Sequence, residues 1–158
     1  MAKAGKIDLN AMRKRMNKIA GSEVAYDLNN QNPASVSEWI PTGSTWLDRI
    51  IKPGTVAGIP VGRFTEIAGL SGVGKSFMAI QIAANAQKMG IQVVYFDAES
   101  AVDTEFLSAH GIDTSEMIYV QAISVEKTFE SIDAIMSDYP NTKFLFIWDS
   151  LAATPTEK

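Results

Sequence analysis

Three features of this 158-residue sequence predict an α/β domain with a mostly parallel sheet covered by helices on both faces. The runs "IQVVYFDAE" and "KFLFIWD" are apolar almost throughout, as strands buried on both faces require. Amphipathic segments such as "SVEKTFESIDAIMSDY" separate the runs, as the crossovers between parallel strands must. The glycine-rich turn "GLSGVGKS", Gly69 to Ser76, falls where an extended apolar run gives way to a helical pattern.

The elements follow in order. Leu9, Met12, Met16 and Ile19 recur at offsets of three and four behind Asp8, so an amphipathic helix capped by Asp8 is expected there. Its apolar stripe must pack on something, either its own domain or a neighbouring subunit. The connection "GSEVAYDLNNQNPAS" is rich in turn formers, with Asn29, Asn30, Asn32 and Pro33. We therefore divide the chain into an arm and linker, residues 1–35, and a core, residues 36–158. In the core "STWLDRII" reads as a short helix, "RFTEIA" as a strand and Gly74 to Met89 as a helix. Strand "IQVVYFDAE", a short helix from Thr104 to Ala109, strand "MIYVQ", the helix from Ser124 to Tyr139 and strand "KFLFIWD" complete the pattern. His110 precedes Gly111 at the end of the short helix, where a C-terminal turn residue is expected.

Composition narrows the chemistry. With no cysteine, disulfide scaffolding and thiolate metal sites are excluded, and the lone His110 cannot build a histidine metal site. There is no apolar run of about 18 residues and no signal-peptide core, so no membrane association is expected and a cytoplasmic location is, that of the host cell if the gene is phage-borne. The net charge of −4 conceals an asymmetry. Residues 1–20 carry six basic side chains (Lys3, Lys6, Arg13, Lys14, Arg15, Lys18) against Asp8, a local +5, which leaves −9 for the rest. A diffuse nucleic-acid surface is not indicated by such a balance.

"GLSGVGKS" matches G-x-x-x-x-G-K-[ST], the phosphate-loop or Walker A pattern, in the strand-to-helix context the pattern needs. Glycines let successive N–H groups point into one concavity, where the helix N-terminus adds partial positive charge. A polyphosphate fits that concavity, with Lys75 reaching the β and γ phosphates and the Ser76 hydroxyl serving Mg²⁺. In open parallel sheets the ligand lies at the carboxyl ends of the strands. Two acidic strand ends therefore matter: Asp149 as a carboxylate for Mg²⁺, and Asp97 with Glu99 as groups able to orient and deprotonate an attacking water. Each acid could instead be a helix cap or a solvated turn acid.

"TGSTWLDRII", "GIPVGRFTEIAGLSGVGKS", "FDAESAVD" and "FLFIWDSLAATPT" resemble, in that order, the core of the RecA recombinases, over roughly residues 36–155. In detail the sequence is most similar to the phage-type UvsX recombinases. The resemblance implies a P-loop NTPase core of RecA type that binds ATP and Mg²⁺. It implies that Gly69, Ser71, Gly72, Val73, Gly74, Lys75, Ser76 and Phe77 form the phosphate site. Glu99 would be the catalytic carboxylate, assisted by Lys75, while Ser76 and Asp149 would hold the metal. Asp103 and Phe106 occupy the places of an acid and an aromatic at the adenine site, with Phe106 standing where tyrosine is more usual; a core role for Phe106 is the alternative.

The same resemblance implies a DNA-dependent ATPase that forms filaments on single-stranded DNA for recombination and repair, assembling as a homo-oligomer through its N-terminal arm. Another RecA-fold ATPase, such as a helicase or a clock or repair ATPase, stays open, as does a P-loop kinase, although Glu99 argues against the kinase. In the family the strand after the Asp149 element inserts beside the phosphate-loop strand, and the sequence reaches Lys158 without it. An incomplete core, with the DNA-binding loops lying beyond, is therefore expected. On that expectation the isolated chain would be poorly soluble, would bind ATP weakly and would not hydrolyse it measurably.

Overall fold

The computed structural model describes residues 7–30, 32–54, 58–100 and 102–157. The chain separates into two compact units, Met1–Ser37 and Glu38–Lys158. In the first, helix α1 (Leu9–Ala20) starts at Asp8, whose carboxylate accepts from the N–H groups of Asn10 and Ala11, and stops at Gly21 in the left-handed region. The segment behind the helix folds back on it: the Asn17 carboxamide oxygen accepts from the backbone N–H groups of Val24 and Ala25. Lys3 and Lys6 of the basic arm lie outside the described residues.

The second unit begins with β1 (Trp39–Ile40), α2 (Thr45–Ile51) and β2 (Ile59–Pro60). β1 and β2 form a short antiparallel pair that the sequence pattern does not foresee, because two-residue strands carry no period. Asp48 of α2 is buried and ties the chain before the helix, accepting from the N–H and hydroxyl of Thr42 at 2.9 and 2.7 Å. Then come α3 (Lys75–Lys88), β3 (Gln92–Asp97), α4 (Thr104–Ala109), β4 (Met117–Gln121), α5 (Val125–Asp138) and β5 (Phe144–Asp149).

β3, β4 and β5 make a parallel sheet in the order β4-β3-β5, as the apolar runs predict. Side chains alternate between the faces of a strand. Val93, Tyr95 and Ile147 therefore share one face, and they join Ile80 and Ala83 of α3 in the hydrophobic core. Phe96, Phe146 and Trp148 share the other, where Phe129 of α5 meets the Trp148 ring edge-on with centroids 5.4 Å apart. The sheet is thus covered by α3 on one face and α5 on the other. Only β3 is buried along nearly its whole length. β4 lies at the edge, and its Ile118 and Tyr119 are exposed, contrary to the expectation that every strand is buried on both faces.

A second correction concerns "RFTEIA". Residues 63–68 are not a strand. They make no backbone–backbone hydrogen bond among the described residues. Ile67 packs against the core while Phe64 is 99% exposed. Alternating hydrophobicity makes a segment fit for pairing, but a strand exists only where a second strand supplies the ladder.

Candidate nucleotide-binding site

The phosphate-loop motif folds into a turn that only glycine tolerates easily: Gly72 and Gly74 have φ of 76° and 93°. Gly74 is the N-cap residue of α3, and no side chain caps that helix. The first amide paired within the helix belongs to Met78, which donates to Gly74 O at 3.0 Å. The N–H groups of Lys75, Ser76 and Phe77 consequently have no acceptor among the described residues. Three unpaired donors at the positive end of a 14-residue helix suit an anion. The Lys75 ammonium folds over the loop and donates to the carbonyls of Gly69 and Leu70 at 3.1 and 3.0 Å. Gly69 itself is close to its own loop: a Cβ there would stand 3.1 Å from Val73 Cγ2. Ser71 and Val73 are exposed in the same turn, and Ser76 is half-buried.

The strand ends supply the acids. Asp97 and Asp149 are register partners at the carboxyl ends of β3 and β5. Asp97 is buried at 1% exposure and acts as an anchor for the loop that follows. Its Oδ1 accepts from the N–H groups of Glu99 and Ser100 at 2.9 and 2.7 Å, and its Oδ2 from Val102 N–H at 3.3 Å and the Tyr119 hydroxyl at 2.9 Å. Asp97, the last residue of β3, is thus buried with both oxygens engaged, whereas Glu99, two residues further on, is exposed. Ser100 adopts φ of 52° in the same turn. Ser150, immediately after β5, donates to Glu99 Oε1 at 3.1 Å, bringing Glu99 beside the Asp149 strand end. Asp149 is half-buried and accepts from the Tyr95 hydroxyl at 2.8 Å. No hydrogen bond or ion pair joins Lys75 or Ser76 to Glu99 or Asp149 among the described residues.

Asp103 is the N-cap of α4, accepting from Phe106 N–H at 2.7 Å. Phe106 is 38% exposed. His110 closes α4 as the terminal turn residue the sequence suggests, and it does something more. Its Nδ1 donates to Phe106 O at 2.6 Å, and its ring lies between Phe106 and Phe77, with centroids 4.3 and 5.1 Å away. This imidazole bridge links Phe106 to α3, the helix that follows the phosphate loop. The bridge and the tyrosines at the acidic strand ends are features that sequence reasoning missed. The available signal was a tyrosine two residues before Asp97, on the same face of a buried strand, whose hydroxyl needs an acceptor.

Burial, followed by the hydrogen bond to Asp149, raises the Tyr95 phenol above its ordinary range. Burial and then the bond to Asp97 raise Tyr119. Both phenols therefore stay protonated and act as donors, Tyr95 to Asp149 and Tyr119 to Asp97.

No group of three or more acidic or histidine side chains that could hold a metal exists among the described residues. Mg²⁺ is commonly bound through only one or two protein oxygens together with the phosphates of its nucleotide. Of the two oxygens expected to serve the metal, those of Ser76 and Asp149, each belongs to a half-buried residue, and no hydrogen bond joins them among the described residues.

The profile of the RecA N-terminal domain matches residues 7–158. The chain belongs to the RecA family. It is 37% identical over 123 residues to Protein RecA of Streptomyces avermitilis, covering 78% of this chain and 31% of that protein. Protein RecA of Streptomyces coelicolor is 39% identical over 116 residues, 73% of this chain and 30% of the relative. For Protein RecA of Bifidobacterium breve the figures are 34% over 139 residues, 88% and 34%. The chain thus spans about a third of the length of these relatives. All three are bacterial proteins, and they support the family without the narrower phage-type UvsX assignment. No helix among the described residues is long and apolar enough to cross a membrane.

Proposed function

We propose that this chain carries the ATP- and Mg²⁺-binding part of a RecA-like recombinase, a DNA-dependent ATPase in the whole protein that assembles as a filament on single-stranded DNA. The observation that carries the reading is the uncapped N-terminus of α3, with the N–H groups of Lys75, Ser76 and Phe77 unpaired behind the turn at Gly72 and Gly74. The Lys75 ammonium, held by loop carbonyls, exchanges those weak neutral acceptors for the charged oxygens of the β and γ phosphates. Ser76 and Asp149 would hold Mg²⁺, which would supply charge neutralisation on those phosphates. Glu99, steadied by Ser150 and by the loop anchored on Asp97, orients a water for attack and takes its proton. Phe106 offers its exposed face to the base, and Asp103 fixes the helix that presents it. The arm supplies subunit contact: all four residues of its apolar stripe are at least 50% exposed on α1.

Binding and turnover of ATP test the division of labour. Lys75→Ala should abolish binding of a fluorescent ATP analogue. Glu99→Gln should keep affinity within a few-fold while turnover drops by roughly 10²-fold or more, the scale of a lost general base. Equal loss of affinity in both variants would make Glu99 a structural or metal-holding acid.

A further inference from the structure

On the sheet face covered by α3, two tyrosines and two aspartates form a diagonal staircase. Tyr119 on β4 donates to Asp97 on β3 at 2.9 Å, and Tyr95 on β3 donates to Asp149 on β5 at 2.8 Å. The register sets Tyr119 opposite Tyr95 and Asp97 opposite Asp149, so each phenol reaches the carboxylate two positions further along the neighbouring strand. The two rings stack nearly parallel, 11° apart with centroids separated by 6.4 Å.

Tyr95 has no exposed surface and sits in the core cluster with Val93, Ile147 and the α3 alanines. Phenylalanine would fill that space equally well, so the hydroxyl is not needed for packing. A buried hydroxyl carries a desolvation cost unless it is bonded, and this one is bonded to a single atom, Asp149 Oδ2. Asp149 Oδ1 accepts from nothing among the described residues. A carboxylate pinned at one oxygen cannot turn freely about its Cβ–Cγ bond.

We propose that Tyr95 is a positioning residue for Asp149: it fixes Oδ2 and thereby leaves Oδ1 as the oxygen presented to the cation that accompanies the nucleotide. The inference rests on the nucleotide reading above and adds to it a residue outside the motifs. Groups that orient a metal-holding carboxylate from behind typically contribute 10- to 100-fold to metal affinity.

The test is a Mg²⁺ titration of the purified protein at a fixed concentration of a fluorescent ATP analogue, with binding as the readout. Tyr95→Phe should raise the half-saturating Mg²⁺ concentration by about 10-fold or more, while binding of the analogue in EDTA stays as in the parent. In an Asp149→Asn background the same substitution should have no further effect, since the group it acts through is gone. An unchanged Mg²⁺ midpoint in a folded Tyr95→Phe protein overturns the proposal, as does an equal shift in the Asp149→Asn background. Failure of Tyr95→Phe to fold also overturns it, because the hydroxyl would then serve the fold. A parent protein that shows no Mg²⁺-dependent binding sinks the nucleotide reading itself, and this inference with it.

Discussion

Replacing Asp97 by asparagine should separate the acid that anchors the loop from Glu99, the acid proposed to act on water. Asp97 is buried and accepts from Glu99 N–H, Ser100 N–H, Val102 N–H and the Tyr119 hydroxyl. In Asp97→Asn one oxygen remains for Glu99 and Ser100, but those two bonds fall from charge-assisted to neutral, a loss of about 1 kcal/mol each. The new NH₂ faces Val102 N–H, donor against donor, at a cost of about 1–3 kcal/mol. The Tyr119 hydroxyl can turn and accept, so it adds little. Removing a buried charge returns about 1 kcal/mol, which leaves a net destabilisation of about 2–4 kcal/mol against a typical domain stability of about 5–15. Urea unfolding followed by circular dichroism measures it, with Glu99→Gln as the comparison. Glu99 is exposed, so its variant should stay within about 0.5 kcal/mol of the parent. If Asp97→Asn were as stable as Glu99→Gln, Asp97 would not be the anchor of the loop, and its place in the water-activating step would have to be reconsidered.

Two further outcomes follow from named groups. Tyr95 has a raised phenol pKa in the folded chain, so between its unfolded value near 10 and the folded one the native state binds the extra proton; its stabilising contribution is complete below about pH 10 and is lost as pH rises above it. The parent should therefore lose stability faster than Tyr95→Phe above pH 10, by up to about 1.4 kcal/mol per pH unit; parallel slopes in denaturant melts would contradict this. Deleting residues 1–20, which carry the exposed stripe Leu9, Met12, Met16 and Ile19, should abolish assembly in light scattering and leave nucleotide binding intact. Persistent assembly with a weaker salt dependence of DNA affinity would point instead to phosphate contacts by the arm.

Much of the secondary structure was legible because its signals are local. Asp8, Ser124 and Asp103 each accept from an N–H two or three residues on, so the start of each helix is written within one turn of sequence. Strand β3 announces itself by composition, being too apolar to lie anywhere but the middle of a sheet. The phosphate loop was visible for the same reason: its glycines, lysine and serine lie within eight residues. What escaped depends on register between distant strands. Tyr95 meets Asp149 across 54 residues and Ser150 meets Glu99 across 51. Neither pairing is encoded by any period, because a shift of one position in β5 would turn the Asp149 side chain to the opposite face. Residues 63–68 failed in the opposite sense, since their pattern is right for a strand and the ladder is missing. Local pattern thus determines which segments can become elements, while the alignment of neighbouring strands decides which acid is anchored, which is exposed and which is held by a phenol. That alignment gives the three acids different settings: Asp97 is buried under backbone N–H groups and the Tyr119 hydroxyl, Glu99 is exposed beside Ser150, and Asp149 is half-buried under the Tyr95 hydroxyl.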